Sequence, residues 1–402
     1  MRILVISHMY PSSFNEVNGI FVHQQVKQLR KQGSEVKVIS PKPQTPFPFK
    51  YFFNKWKKYS EIPEKMIWEG IEVYYPRFLS FPKALLLESS GIRMYRGINN
   101  TVDEIYKDFK FDIIHSHVAL PDGYCGMLVA KKYKKPLIVT IHGNDFQHTI
   151  FKNRKCKMSI EKTVNLSENV IVVSDKLKKI GENLLKVNEE KITVISNGIN
   201  PEDKITEKST LLKKYEKKKI ILSVSHLKKS KGIKLNLHAI KKNINKCKNL
   251  FYIIVGSGRE KSELERISKQ LYIQNNVEFV GEIPHKKVME YMSICDIFSL
   301  PSYNEGFGVV YLEAMAHGKP VIGVKGQGID GLVKHKRNGM LVEPKDVDSL
   351  VEGMEYLLNH PQEARNMGER AKKLVLENYT WEKNAEKTIK IYEEVLKMKI
   401  ND

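Results

Sequence analysis

The densest chemistry in the chain lies just past an apolar run that ends at Leu300, in the block Glu305-Gly-Phe-Gly-Val-Val-Tyr-Leu-Glu313. A short apolar run bounded by Pro and Ser reads as a buried strand, and the loop after it carries the carboxylate of Glu305 with Gly306 and Gly308. A helix is expected to open near Gly308, with Glu313 in its second turn. Glycine at a helix start lets backbone N–H groups approach a ligand, and the positive end of the helix dipole favours an anion there. An ionised glutamate only accepts hydrogen bonds, so a carboxylate on each side of that anion suits hydroxyl groups. Anion flanked by polyols describes a nucleotide-diphosphate sugar: ribose, diphosphate, hexose. The plainer reading is that Glu305 merely complements the helix dipole.

A second cluster is Ser223-Val-Ser-His226-Leu-Lys228-Lys229-Ser-Lys231-Gly232, where a strand runs into a cationic loop and Gly232 opens a helix. A charge pair at 4 Å is worth about 1 kcal/mol in water and about 4 kcal/mol at an effective dielectric of 20, so lysines count in an enclosed site. Alone, such a loop is an ordinary solvated face; beside the glutamates it is a candidate for neutralising a diphosphate. Two other patterns resemble metal motifs. Asp346-Val-Asp348 follows Pro344 and precedes an apolar helical run, which suits an N-terminal helix cap. His115-Ser-His117 has no third ligand at helical spacing and reads as a loop on the acceptor side of a site. No metal site is expected.

These residues need a scaffold that brings strand ends together. Arg2–Ser7 reads as a buried parallel strand, Gly19 opens a helical pattern through Val22, Val26 and Leu29, and Glu35–Ser40 is the next strand: one βαβ unit. Strands recur at 111–115, 136–141, 170–173 and 192–195. Residues 200–219 are polar and rich in Lys and Glu, as in a linker. A second α/β run follows, with strands at 219–225, 251–255, 277–280, 297–300 and 320–324. Residues 381–397 carry Ile389, Tyr392, Val395 and Leu396 at helical spacing. The fold class is therefore α/β, two Rossmann-like halves with a ligand between them: residues 1–198, with 381–402 packing back on them, and 199–380.

The block Glu305-Gly-Phe-Gly…Glu313-Ala-Met-Ala…Gly318-Lys-Pro-Val-Ile resembles the retaining glycosyltransferases of family 4, whose fold is the two-domain GT-B and whose signature places two glutamates eight residues apart. Asn18-Gly19, His142-Gly-Asn-Asp145, Ser196-Asn-Gly-Ile199, Lys231-Gly232 and Gly256-Ser-Gly258 match as well. The resemblance implies that Glu313 holds the ribose and that Lys231 binds the diphosphate, helped by backbone amides at Phe307, Gly308, Val309 and Gly19. It implies Glu305 on the donor sugar, His142 beside the transferred sugar, and the base at the turn containing Glu282. Gly256 and His226 fall on the donor side, and His117 and Asp145 on the acceptor side. Where the family has Arg before the Lys, this chain has His226, a single donor when neutral in place of a bidentate fork, with Lys228 or Lys229 as substitutes. Where the family has Gly-Gly-x-Pro-Glu, this chain has Gly326-Gln-Gly-Ile-Asp330-Gly331. The implied donor is a UDP-, GDP- or ADP-sugar, with no cofactor or metal, and the implied acceptor is a lipid-linked or polysaccharide hydroxyl. The implied role is cell-surface polysaccharide synthesis.

The chain's 402 residues leave room for two to three domains, and its 67 Lys and Arg against 46 Asp and Glu give a net charge of +21. That excess suits an anionic partner or a solvated lysine-rich surface. Between Phe47 and Trp68, aromatic residues alternate with Lys50, Lys55, Lys57 and Lys58, which suits an anionic membrane face or lipid-linked acceptor, ordinary packing, or nucleic acid. No apolar run approaches the roughly 20 residues of a membrane span, and no signal peptide is recognisable, so the expected location is cytoplasmic, at the inner face of the plasma membrane. The four cysteines are widely spaced and read as buried reduced thiols. Two other functions fit in part: a nucleotide-sugar epimerase or hydrolase of the same fold, and a basic nucleic-acid-binding protein, which leaves the glutamate block unexplained.

Overall fold

The computed structural model describes residues 1–44, 49–81, 84–203 and 211–401. It forms two compact units, Met1–Ser196 with Trp381–Asp402, and Asn197–Thr380.

In the first unit the strands are β1 (Arg2–Ile6), β2 (Glu35–Ile39), β3 (Lys42–Pro43), β4 (Lys65–Trp68), β5 (Ile71–Tyr74), β6 (Arg77–Phe78), β7 (Ile113–His117), β8 (Leu137–Ile141), β9 (Asn169–Val172) and β10 (Ile192–Val194). Eight of them make one sheet, β10-β9-β8-β7-β1-β2-β5-β4, parallel except for β4 against β5. Strands covered on both faces are unbroken apolar runs, and Ile3, Leu4, Val5 and Ile6 of β1 are wholly buried. Helix Ile20–Lys31 turns Val22, Val26 and Leu29 into that core. The terminal helix Trp381–Asn401 adds Ala385, Tyr392 and Val395 to the same cluster. It is anchored by Gln25 Nε2, which donates to Asn384 Oδ1 at 2.7 Å, and by Asn384 Nδ2, which donates to the carbonyl of Ser196 at 2.8 Å.

In the second unit β11 (Lys219–Val224), β12 (Leu250–Val255), β13 (Val277–Gly281), β14 (Ile297–Ser299), β15 (Val321–Val324) and β16 (Met340–Val342) form an all-parallel sheet in the order β13-β12-β11-β14-β15-β16. The chain winds outward one way from β11 and the other way from β14. The loops leaving the carboxyl ends of these two neighbours therefore diverge and leave a crevice, where open α/β sheets bind ligands. In the first unit the same reversal falls between β1 and β7.

Several expectations are corrected. The strand at 111–115 instead runs Ile113–His117, so His115 and His117 lie in β7 rather than in a loop, with His117 in register with Thr140 of β8. The β4–β5 hairpin was not foreseen. It turns on Glu69 and Gly70, both with positive φ (44° and 77°), the two-residue turn that suits strand twist, but without the usual Asn-Gly or Asp-Gly signal. The three-residue β16 was missed too. Of the four free cysteines, Cys125, Cys156 and Cys295 are buried but Cys247 is half-exposed. The polar stretch at 200–219 contains the turns Pro201–Asp203 and Leu211–Lys214; residues 204–210 of it lie outside the described residues.

Asp346 is a helix cap: its Oδ1 accepts the amides of Asp348 at 2.8 Å and Ser349 at 3.1 Å at the start of helix Val347–Asn359. Asp346→Ala is expected to cost about 1 kcal/mol of stability, read as a lower midpoint in thermal unfolding, while Asp348→Ala leaves the cap in place. Equal losses from the two substitutions would contradict the assignment.

Candidate functional site

In the second unit the two candidate clusters meet. The loop after β11 carries His226 and Lys231, the loop after β14 carries Glu305, and Lys231 Nζ forms an ion pair with the Glu305 carboxylate. Glu305 also accepts from Ser302 Oγ at 3.0 Å, and the amide of Tyr303 donates to the carbonyl of Ser230 at 2.8 Å, so the loops are tied through backbone and side chain. Lys231 and Glu305 keep only 24% and 18% of their side-chain surface exposed, and the attraction between them exceeds that of a surface pair. On the other side of Glu305, Gln327 Oε1 accepts the amides of Asn304 at 2.9 Å and Glu305 at 3.4 Å, and Asp330 Oδ2 accepts that of Gly326 at 2.6 Å. The departure from the family's Gly-Gly-x-Pro-Glu thus braces the Glu305 loop.

Helix Val309–Ala316 opens directly after it. Its N-cap, Gly308, is left-handed (φ 91°) and offers no capping side chain; the amide of Tyr311 donates to the carbonyl of Gly308 at 3.1 Å, while those of Val309 and Val310 have no side-chain cap. A Cβ on Gly308 would lie 2.8 Å from the Tyr311 ring, which requires glycine there for space as well as for φ. One turn on, Glu313 Oε1 receives His285 Nε2 at 2.9 Å. That hydrogen bond and the charge of Glu313 raise the His285 pKa above its ordinary value against the opposing effect of burial.

These residues line one cavity of about 400 Å³, bordered also by His226, Gly256, Glu282, Val309 and Ser225. Glu282 accepts from Ser257 Oγ at 2.7 Å, and Ser225 Oγ is buried without a partner. Phe307 is buried in the core, so only its backbone can serve the site. Lys228 and Lys229 line a separate hollow with Tyr303 and Lys345, and of the candidates before Lys231 it is His226 that shares the Lys231 cavity. His285, Ser225 and Gln327 were not singled out in the sequence. A histidine opening a helix and a glutamine between glycines have no distinctive spacing.

In the first unit the candidates gather at the carboxyl edge of the sheet. Gly19 caps helix Ile20–Lys31 with no side-chain hydrogen bond, and Phe21 lies against the His142 ring, centroids 4.5 Å apart. His142 Nε2 is 3.0 Å from His117 Nδ1 with the rings nearly parallel, and His115 stacks on His117 while its nitrogens meet Tyr392 Oη at 2.6 Å and Thr140 Oγ1 at 2.7 Å. Burial pushes His142 and His115 down to about 3, and takes His117 well below its ordinary value, so the three imidazoles are neutral at neutral pH. His142 Nδ1 and His117 Nε2 are buried with no hydrogen-bond partner among the described residues. Asp145 is buried and its Oδ2 accepts the Ala119 amide at 3.0 Å, bracing the segment after β7.

A further pair was missed in the sequence. His8, just past β1, places Nδ1 2.9 Å from Oδ2 of the wholly buried Asp122 and directs its amide to the same carboxylate at 3.1 Å. Burial lowers the His8 pKa, but Asp122 more than offsets this and leaves it raised. Among the described residues, no group of three or more His, Cys, Asp or Glu is placed to hold a metal ion. Between Phe47 and Trp68, helix Asn54–Ser60 packs Tyr59 against Phe14 (centroids 4.8 Å) while Tyr51, Phe52 and Phe53 are exposed; Phe47 lies outside the described residues. No described helix is long and apolar enough to cross a membrane.

Comparison with known proteins agrees with this geometry. Residues 19–203 match the family model described as Glycosyltransferase Family 4, and residues 204–374 match that of Glycosyl transferases group 1. The chain is 30% identical to N-acetyl-alpha-D-glucosaminyl L-malate synthase of Bacillus anthracis over 300 residues, covering 73% of this chain and 77% of that one. It is 27% identical to an uncharacterized glycosyltransferase of Methanocaldococcus jannaschii over 99% of both chains. A solved Anabaena protein in complex with UDP and glucose is 18% identical with a TM-score of 0.74, covering 98% of this chain and 100% of that one.

The Asp145 brace has a pH signature. Burial holds its carboxyl up at about 7 against an ordinary 3.8, despite the opposing amide hydrogen bonds from Ala119 and Leu120; Asp122 adds to the rise and His8 opposes it. The folded state keeps a proton that the unfolded chain releases, so this contribution to stability is complete below pH 3.8 and is lost as pH rises through about 7. Asp145→Asn retains the amide acceptor and never ionises. Its melting temperature relative to wild type is expected to climb by several degrees between about pH 5 and about pH 8. A difference independent of pH would contradict a buried, proton-holding Asp145.

Proposed function

The chain belongs to the family 4 glycosyltransferases, with their GT-B fold, and on that premise we propose that it is a retaining enzyme that moves a hexosyl unit from a nucleotide-diphosphate sugar to a hydroxyl of a lipid-linked or polysaccharide acceptor. The observation that carries this reading is the Lys231–Glu305 ion pair set beside the uncapped amides of helix Val309–Ala316, with Glu313 one turn on. Each charge there is compensated by a partner that a donor can replace. The diphosphate takes over Lys231 and meets the first-turn amides, which releases Glu305 to accept from sugar hydroxyls. The ribose hydroxyls likewise replace His285 on Glu313. Exchanging one satisfied set of partners for another avoids a bare buried charge at either stage. Ser225 Oγ, buried without a partner in the same cavity, supports a ligand rich in hydrogen-bonding groups.

In the transfer step the acceptor oxygen bonds to the anomeric carbon on the face from which the diphosphate departs. The bond from the anomeric carbon to the phosphate oxygen breaks, and the hydroxyl proton passes to the departing phosphate. Lys231 and the helix amides meet the charge that grows on the leaving group, so catalysis is chiefly positioning and electrostatic stabilisation. In this reading the cation at the diphosphate is a side chain, and no metal is called on. His142, neutral with Nδ1 unpartnered, serves the transferred sugar as a hydrogen-bonding group rather than as a cation. The Anabaena complex supports a UDP-sugar as donor. The net charge of +21 supports work at the anionic inner face of the plasma membrane, in assembly of a cell-surface polysaccharide.

A thermal-shift series with UDP-, GDP- and ADP-sugars tests the reading, since a ligand at 100 times its Kd adds about 2.7 kcal/mol of stability. One nucleotide class is expected to stabilise the wild type. Lys231→Ala and Glu313→Ala should each weaken that ligand at least about tenfold, and Asp348→Ala should not. Unchanged affinity in Lys231→Ala would overturn the assignment.

A further inference from the structure

A second set of exposed apolar side chains lies on the first unit, on segments other than Phe47–Trp68. Leu85 is 62% exposed, Leu86 48%, Phe151 69% and Met158 55%. Four large apolar side chains this open are costly in water as a group, although any one would be unremarkable. They come from two segments that the structure holds together. Lys152 Nζ donates to the carbonyl of Ala84, and Ser159 Oγ donates to that of Glu88 at 3.3 Å, which joins the loop before helix Ser90–Asp108 to the start of helix Arg154–Leu166. Arg93 ties in a further stretch: Nε donates to the carbonyl of Leu79 at 2.9 Å, Nη2 to that of Leu86 at 3.0 Å, and the guanidinium lies 4.9 Å from the centre of the Phe81 ring. Leu79 is exposed too.

The backbone is built to present this surface. Ala84 and Leu86 both take left-handed conformations, φ 54° and 51°, unfavourable for residues with a Cβ, and between them Leu85 points to solvent. The charge around it is mainly positive. Residues 148–158 read His-Thr-Ile-Phe-Lys-Asn-Arg-Lys-Cys-Lys-Met, four formal cations and no carboxylate, and from 79 to 93 the only acid is Glu88. Arg154 and Lys155 are exposed. Position matters as well: the turn Thr149–Phe151 continues the loop that carries His142 and Asp145 from the carboxyl end of β8.

We infer that this surface docks on an anionic lipid bilayer, with Leu85, Leu86, Phe151 and Met158 entering the interfacial layer and Lys152, Arg154 and Lys155 meeting the headgroups. Apolar residues ringed by Lys and Arg satisfy both parts of such an interface, and neither part alone gives firm attachment. A protein partner would need acidic groups at the rim. A second copy of this chain would bring the same cations face to face, so self-association through this surface is disfavoured. The docking surface stands without the transferase reading. Its consequence, that the acceptor hydroxyl is presented from a membrane-anchored molecule at the His142 edge, rests on that reading.

The full chain is to be sedimented with vesicles of phosphatidylcholine alone and of phosphatidylcholine with phosphatidylglycerol, without nucleotide-sugar. The wild type is expected to bind the mixed vesicles at least about tenfold more strongly, and added salt should weaken the binding. Leu85→Asp with Phe151→Asp should remove most of the binding, as should Arg154→Glu with Lys155→Glu, while Phe52→Asp with Phe53→Asp leaves most of it. A wild-type circular dichroism spectrum and a wild-type thermal-unfolding midpoint, both without ligand, show that each variant is folded and keep this test separate from that of the transferase. Absent wild-type binding, equal binding to both vesicles, or loss only in the Phe52/Phe53 variant would overturn the inference, as would a patch variant that alters oligomeric state but not vesicle binding.

Discussion

The site depends on one ion pair. Strands β11 and β14 are neighbours in the sheet, but the chain leaves them in opposite directions, and nothing in sheet pairing fixes how close their exit loops come. Lys231 from one loop and Glu305 from the other close that gap, with the Tyr303-to-Ser230 backbone hydrogen bond beneath them. Helix Val309–Ala316 starts four residues after Glu305, so the position of its uncapped amides and of Glu313 follows from where the pair holds the loop. Gln327 braces the same loop from the side opposite Lys231. An ion pair suits this role better than an apolar contact because, on the proposed reading, a nucleotide-diphosphate sugar would engage both partners, its diphosphate meeting Lys231 and its hydroxyls Glu305.

The first unit applies the opposite electrostatics. Its sheet edge is lined by imidazoles that burial keeps neutral, with His142 and His117 each left one nitrogen short of a partner. Its buried carboxylates are turned inward, Asp145 onto a backbone amide and Asp122 onto His8. The second unit thus gathers a lysine and helix-start amides, whereas the first presents hydrogen-bonding groups of little net charge.

How much of this could be read from the sequence depended on the range of the interaction. Buried parallel strands declared themselves because they need unbroken apolar runs, and Glu305, Gly308 and Glu313 were legible because strand, glycine turn and helix sit within about a dozen residues. The Asp346 cap was local too. What escaped was set by tertiary partners: His285 opens a helix without any signal that it meets Glu313, 28 residues away, and His8 meets Asp122 across 114 residues. His115 and His117 were assigned to a loop because polar residues seldom end a buried strand; in the structure Tyr392, Thr140 and His142 satisfy them there. The lysine cluster divided in a way that spacing alone does not give, Lys231 to the cavity shared with Glu305 and Glu313, and Lys228 and Lys229 to another hollow.

A crystal structure of the chain with the stabilising nucleotide-sugar bound tests the central claim most directly. The account predicts that Lys231 Nζ leaves Glu305 for a diphosphate oxygen, that Glu305 accepts from sugar hydroxyls, and that the ribose displaces His285 from Glu313. A bound diphosphate away from Lys231, with the Lys231–Glu305 pair intact, would contradict it.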